Sequence, residues 1–125
     1  MPTKQELQVA RCEVLDAFSH VERALRARLQ AECRSTPVGQ LLVRLVDSDL
    51  DWNGQKLSKA LGERVAVRND LVHSEPHFMP RKGDGLTAFY TNNCPAEPYP
   101  QLRPLSLAAH QRLRDELTAM AKLLR

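Results

Sequence analysis

Arg64, Arg68, Asn69 and His73 fall close together near the middle of the chain, in the run Arg64-Val65-Ala66-Val67-Arg68-Asn69-Asp70-Leu71-Val72-His73. Guanidinium, amide and imidazole together are the groups that phosphodiester cleavage by a metal-free route uses. A His can take the proton from an RNA 2′-hydroxyl or protonate the departing 5′-oxygen, a role worth ~10²–10⁴-fold. A fixed Arg stabilises the charge building on the pentacoordinate phosphorus, and an Asn orients the imidazole or binds a phosphate oxygen. On a regular helix Asn69 and His73, four apart, share a face, as do Arg64 and Arg68. Arg68 and His73, five apart, are separated by about 140° around the axis. Acid and base are two jobs, and two copies of the motif facing each other across a symmetry axis would supply both. The competing reading is structural: Arg68 pairs with Asp70 or Glu75, and His73 caps the helix C-terminus.

Other candidates lie further along. Phe78, Phe89, Tyr90 and Tyr99 stand near Arg81 and Lys82, a mixture that stacks bases and holds phosphates. This makes Arg64, Arg81, Lys82 and Tyr90 candidate substrate contacts beside a catalytic set of Arg68, His73 and Asn69. The alternative is that the aromatics pin their segment onto the rest of the fold. His73 and His77 have a spacing that could bind metal on a helix, but Pro76 intervenes and no third ligand is evident, so no metal or cofactor is expected. His20 beside Glu22 and His110 read as surface or cap residues.

The elements that must position these groups read as helices. Thr3-Lys4-Gln5-Glu6 is a capping-box pattern. Leu7, Val14, Phe18, Val21, Leu25 and Leu29 then recur at threes and fours, predicting a helix of nearly thirty residues that ends around Cys33 to Ser35. Thr36-Pro37 caps a second helix carrying Val38, Leu41, Leu42, Leu45 and Val46 and stopping near Asp47. Trp52-Asn53-Gly54 reads as a turn or as a cap. A third helix should run from about Gln55 to His73, with Leu57, Leu61, Val65 and either Leu71 or Val72 inward. Gly62 within it suggests close packing or a weak point. Ser106 caps a final helix with Leu107, Leu113, Leu117, Met120, Ala121 and Leu124 inward. Six of the eight prolines fall within 76–104, which predicts an irregular insertion, with one short strand or hairpin arm over Leu86 to Thr91. The expected fold is all-α: a single domain over 1–125, built as a four-helix up-down bundle with a long irregular insertion between helices 3 and 4.

Composition bounds the partners. At 125 residues, 26% charged and 42% hydrophobic, the chain fits one soluble domain and is too apolar for disorder. A net charge of +3, with Arg far outnumbering Lys, adds weight to a phosphate-bearing partner. Cys12, Cys33 and Cys94 have no metal-ligand spacing. The first two, on what reads as one helix, would lie about 31 Å apart and could not bridge, so free thiols are expected. Met1-Pro2-Thr3-Lys4 has no apolar signal region and no run is long enough for a membrane helix, so a cytoplasmic protein without membrane contact is expected.

The run Arg68-Asn69-Asp70-Leu71-Val72-His73 resembles the signature of HEPN domains: an Arg, a polar residue that is commonly Asn, then a His after four to six intervening positions, late in a helix of a small all-α bundle. The long first helix, with Phe18-Ser19-His20-Val21-Glu22-Arg23-Ala24-Leu25, is also similar to that family's first helix. The resemblance implies a homodimer in which two motifs face each other in a cleft, and a metal-independent endoribonuclease acting in a toxin, defence or RNA-processing system. By position, Arg68 and His73 would be the catalytic pair and Asn69 the accompanying polar residue. Some toxin members continue His-x-Tyr, the Tyr being modified by a nucleotidyltransferase antitoxin; Glu75 stands there in this chain, which argues against that mode of control, although an antitoxin or other protein partner remains in view. The alternative function is a non-catalytic HEPN-like module that binds nucleotide, RNA or a protein partner.

Overall fold

The computed structural model describes residues 2–29, 52–92 and 101–124. The first helix, α1 (Lys4–Leu29), starts where its cap requires. Thr3 Oγ1 accepts from the Glu6 N–H at 3.1 Å, and the Glu6 carboxylate accepts in return from the Thr3 N–H at 3.3 Å, so two N–H groups at the helix start are satisfied reciprocally. Leu7, Val14, Phe18, Val21 and Leu25 are buried, as their spacing predicts.

The second described helix, α2 (Trp52–His73), takes in Trp52-Asn53-Gly54 as its first turn. Leu61 and Leu71 are buried and Val72 is exposed, so Leu71 is the inward residue at the helix end. Gly62 is exposed, and a Cβ built on it would meet nothing within 4 Å. Close packing is therefore not the reason for that glycine. Gly62→Ala is expected to stabilise the protein by about 0.5–1 kcal/mol through lost unfolded-state freedom and better helix propensity, read as a higher thermal midpoint; a lower midpoint would contradict the open surroundings.

An all-α four-helix bundle is not what forms. The segment expected to be irregular apart from one short strand or hairpin arm over Leu86 to Thr91 folds into a three-stranded antiparallel sheet, β1 (His77–Arg81), β2 (Gly85–Asn92, which contains that arm) and β3 (Gln101–Leu105), in the order β1-β2-β3, and the architecture is α+β. The prolines do not prevent this, because Pro80 and Pro104 lie in the two edge strands, where a missing N–H need not break a ladder. The central strand, Gly-Leu-Thr-Ala-Phe-Tyr-Thr-Asn, has none. Asp84 donates its N–H to the Arg81 carbonyl at 3.1 Å to close the hairpin, and Gly83 and Gly85 there take φ of 90° and 71°, values that residues with a Cβ rarely adopt.

The last helix, α3 (Leu107–Leu124), is capped by Ser106 Oγ, which accepts from the Ala109 N–H at 3.1 Å. Its Leu117, Met120, Ala121 and Leu124 join Val14, Phe18, Val21 and Leu25 of α1, Leu61 and Leu71 of α2, and Ala88, Tyr90 and Leu105 of the sheet in one core. Among the described residues Cys12 is a free, exposed thiol, and no helix is long and apolar enough to cross a membrane. The helix expected from Thr36 to Asp47 lies outside the described residues, as do Cys33, Cys94 and Tyr99.

Candidate functional site

The motif occupies the last two turns of α2, and the neighbouring elements determine which of its groups are spent. Asp70 is buried and accepts from Arg103 Nε of β3 at 2.6 Å. Arg11 of α1 donates through Nε to the Leu71 carbonyl at 3.0 Å, and the Ser74 hydroxyl donates to the Asp70 carbonyl. These bonds satisfy carbonyls that a helix end otherwise leaves without partners. The cap that His73 could have made is thus supplied by Arg11 and Ser74, and its imidazole is exposed and makes no hydrogen bond or ion pair among the described residues.

The arginines turn the other way. Arg64 binds Glu116 of α3 through Nε and Nη2 at 3.0 and 2.7 Å, and also the Ala60 carbonyl at 2.8 Å; it is a strut between helices, not the free substrate contact expected of it. Arg68 lies with its guanidinium 5.5 Å from the centre of the Phe18 ring and 3.6 Å from Glu22 Oε1, so its acidic partner is on α1 and is neither Asp70 nor Glu75. Glu22 gives its other oxygen to Arg26 at 3.0 Å. At 3.6 Å the Arg68 contact is an ion pair without a hydrogen bond, and the side chain is 31% exposed, which leaves guanidinium N–H groups for an arriving anion.

Arg68 Nη1 donates to Asn69 Oδ1 at 3.2 Å. A guanidinium can only donate, so the oxygen of Asn69 faces it and the amide NH₂ is directed elsewhere, as a donor. Asn69 and His73 are both exposed, one helical turn apart. The arrangement is an amide donor and an imidazole on one open face, flanked by a cation held over an aromatic ring. Sequence reasoning did not single out Phe18 and Glu22 as the seat of Arg68. Their four-residue spacing on α1 was the available signal, since it puts a ring and a carboxylate on one side of that helix.

The sheet separates the remaining candidates. Tyr90 is completely buried, so it is a core residue and offers no surface to a base. His110, expected at the surface or as a cap, is also completely buried. Its Nδ1 lies 2.7 Å from the Ser106 carbonyl, which can only accept, so Nδ1 carries the proton and Nε2 accepts from the Tyr90 hydroxyl at 2.9 Å. Burial pushes the Tyr90 phenol up to about 12, against the lowering effect of Arg11. Burial likewise lowers the His110 pKa below its ordinary 6.5, opposed by the Ser106 bond and helped by Arg11. Arg81 and Lys82 sit exposed at the hairpin turn, with Arg81 3.6 Å from Asp84.

The neutral state of His110 has a consequence for acid stability. The unfolded chain protonates first, so the stabilisation is complete above 6.5, the ordinary value, and is lost as pH falls from there through the lowered folded pKa. Wild-type protein is expected to lose denaturant resistance as pH falls below 6.5, the ordinary value, and His110→Gln to lose less over the same fall. Equal losses in urea titrations of the two proteins would assign the acid sensitivity to other groups.

Scans of family models, curated proteins and solved structures find no match to this chain.

Proposed function

We propose that the chain is a metal-independent endoribonuclease of HEPN type that cleaves RNA in a cleft made by two copies of the 68–73 motif. The observation that carries this reading is the exposed pair Asn69 and His73 on one face of α2, with Arg68 hydrogen-bonded to Asn69 beside it. In the reaction, one His73 takes the proton of a 2′-hydroxyl, whose oxygen attacks the adjacent phosphorus. The His73 of the second copy protonates the departing 5′-oxygen as the P–O5′ bond breaks, leaving a 2′,3′-cyclic phosphate and a 5′-hydroxyl. Arg68 and the Asn69 amide bind the non-bridging oxygens as their charge grows.

The sheet is an addition that the HEPN resemblance does not imply, so the reading rests on the motif and on α1. Its test is cleavage of single-stranded or loop RNA by purified protein in excess chelator, with end-group analysis of the products. Cyclic phosphate ends support it, whereas cleavage that stops with chelator, or a protein that stays monomeric at assay concentrations, removes it. Growth arrest on overproduction would extend the reading to a toxin or defence role. One observation favours a second reading, a non-catalytic module binding nucleotide, RNA or a protein through the same face: Arg68 already has an anionic partner in Glu22. RNA that is bound but never cut selects that reading.

A further inference from the structure

One face of the sheet is committed to the core, through Phe78, Ala88, Tyr90 and Leu105. Strict alternation then assigns the opposite face. His77, Phe89 and Pro104 stand directly across from one another on β1, β2 and β3, and Met79 and Arg81 follow on β1, with Leu102 on β3. His77 and Arg81 are exposed and Phe89 and Pro104 partly so, while Met79 is 42% and Leu102 50% exposed. Thr87, on the same face, is fully buried, and its hydroxyl donates to the Gly85 carbonyl at 3.1 Å.

We propose that this outer face is a stacking platform for the unpaired bases of a single-stranded RNA, continuous with the motif; the proposal rests on reading the motif as an RNA site. Cross-strand neighbours have Cβ atoms about 5 Å apart, so the imidazole of His77 and the phenyl ring of Phe89 are neighbours in register, with the apolar ring of Pro104 next to Phe89 on the other side. A base gains from stacking on such rings whatever its identity. The cations are placed for the backbone of the same strand: Arg81 on this face and Lys82 at the adjoining turn. His77 follows His73 by four residues, so their Cα atoms are at most about 15 Å apart, a distance that a few nucleotides span.

Size argues against a folded protein as the occupant. Three strands about 4.8 Å apart and some five residues long present roughly 250 Å², well short of the ~800 Å² per partner that a stable protein interface buries. Two or three stacked bases fit that area. Of the aromatics that the sequence places near Arg81, the register leaves Phe89 outward and turns Phe78 and Tyr90 inward.

The test is fluorescence anisotropy of the full chain with a labelled 2′-O-methyl oligouridine twelve nucleotides long, which cannot be cleaved, and with an abasic strand of equal length. Wild-type protein is expected to bind the base-bearing strand more tightly than the abasic one. Phe89→Leu, which keeps the apolar bulk and removes the π face, is expected to weaken binding about 5- to 100-fold. His77→Ala, on the exposed edge strand, gives the same weakening and decides the matter if Phe89→Leu does not fold. Equal binding of the abasic strand, or wild-type affinity in both variants, overturns the proposal. So does a dimer that Met79→Glu dissociates with oligonucleotide affinity unchanged, which assigns the face to a second copy. Because the probe cannot be cut, a protein without nuclease activity still gives a readable result, and failure of the platform does not touch the cleavage assay.

Discussion

Replacing His73 with alanine is expected to lower RNA cleavage by about 10²–10⁴-fold, the usual worth of a positioned general acid or base, with almost no change in stability. The two halves of that expectation have different sources. The imidazole is exposed and makes no hydrogen bond or ion pair among the described residues, and the helix-end carbonyls of Asp70 and Leu71 are held by Ser74 and Arg11. Its removal therefore breaks nothing in the fold, and surface changes of this kind stay within about 0.5 kcal/mol. Arg68→Ala makes a useful contrast. It too should abolish cleavage, but it also uncovers the Phe18 ring and leaves Glu22 with one cation fewer, so a modest loss of thermal stability accompanies the loss of activity. Rates of oligonucleotide cleavage and thermal midpoints measured on the two variants separate the effects. A His73→Ala protein that cuts RNA at near wild-type rate would remove His73 from the chemistry and the ribonuclease assignment with it.

The described helices were legible because their signals are local. The Thr3–Glu6 box, the α1 stripe and the Ser106 cap each depend on residues within one or two turns, and each appears as read. Of the sheet only the central strand was legible, as the arm expected over Leu86 to Thr91 within Gly85–Asn92; the two flanking strands were not, because their evidence is non-local. His77–Arg81 and Gln101–Leu105 are short, each contains a proline, and neither has enough β-branched residues to stand out; they become strands only because Gly85–Asn92 lies between them and offers a ladder on both sides. The same distinction explains the site. That Asn69 and His73 share a face follows from helix geometry alone. That Arg64 is consumed by Glu116, that Arg68 sits between Phe18 and Glu22, and that Tyr90 faces inward onto His110 all depend on partners 20 to 52 residues away, which periodicity cannot place.

Arg103→Leu should damage the fold strongly for a partly exposed polar residue, with a cost of about 3 kcal/mol. The asymmetry of the Asp70 pair is the reason. The Asp70 side chain is 8% exposed and that of Arg103 33%, so taking away the arginine strands a carboxylate that water barely reaches, whereas taking away the carboxylate leaves a guanidinium that can turn toward solvent. Asp70→Ala should accordingly cost less than Arg103→Leu, and the double variant less than the sum of the two, since no buried charge is then left alone. Urea unfolding of the four proteins completes the cycle; additive losses would mean that the two side chains do not act as a pair. The effect should also reach the chemistry. Asp70 lies between Asn69 and Leu71, and the Leu71 carbonyl is held by Arg11, so β3 and α1 together fix how the last turn of α2 is rotated about its axis. Without Arg103 that turn keeps only one of its two anchors, and Asn69 and His73 lose their fixed placement. Arg103→Leu protein assayed well below its unfolding midpoint should therefore cleave more slowly than wild type although Arg103 touches no substrate; an unchanged rate would show that the α1 contact alone is enough to set the motif.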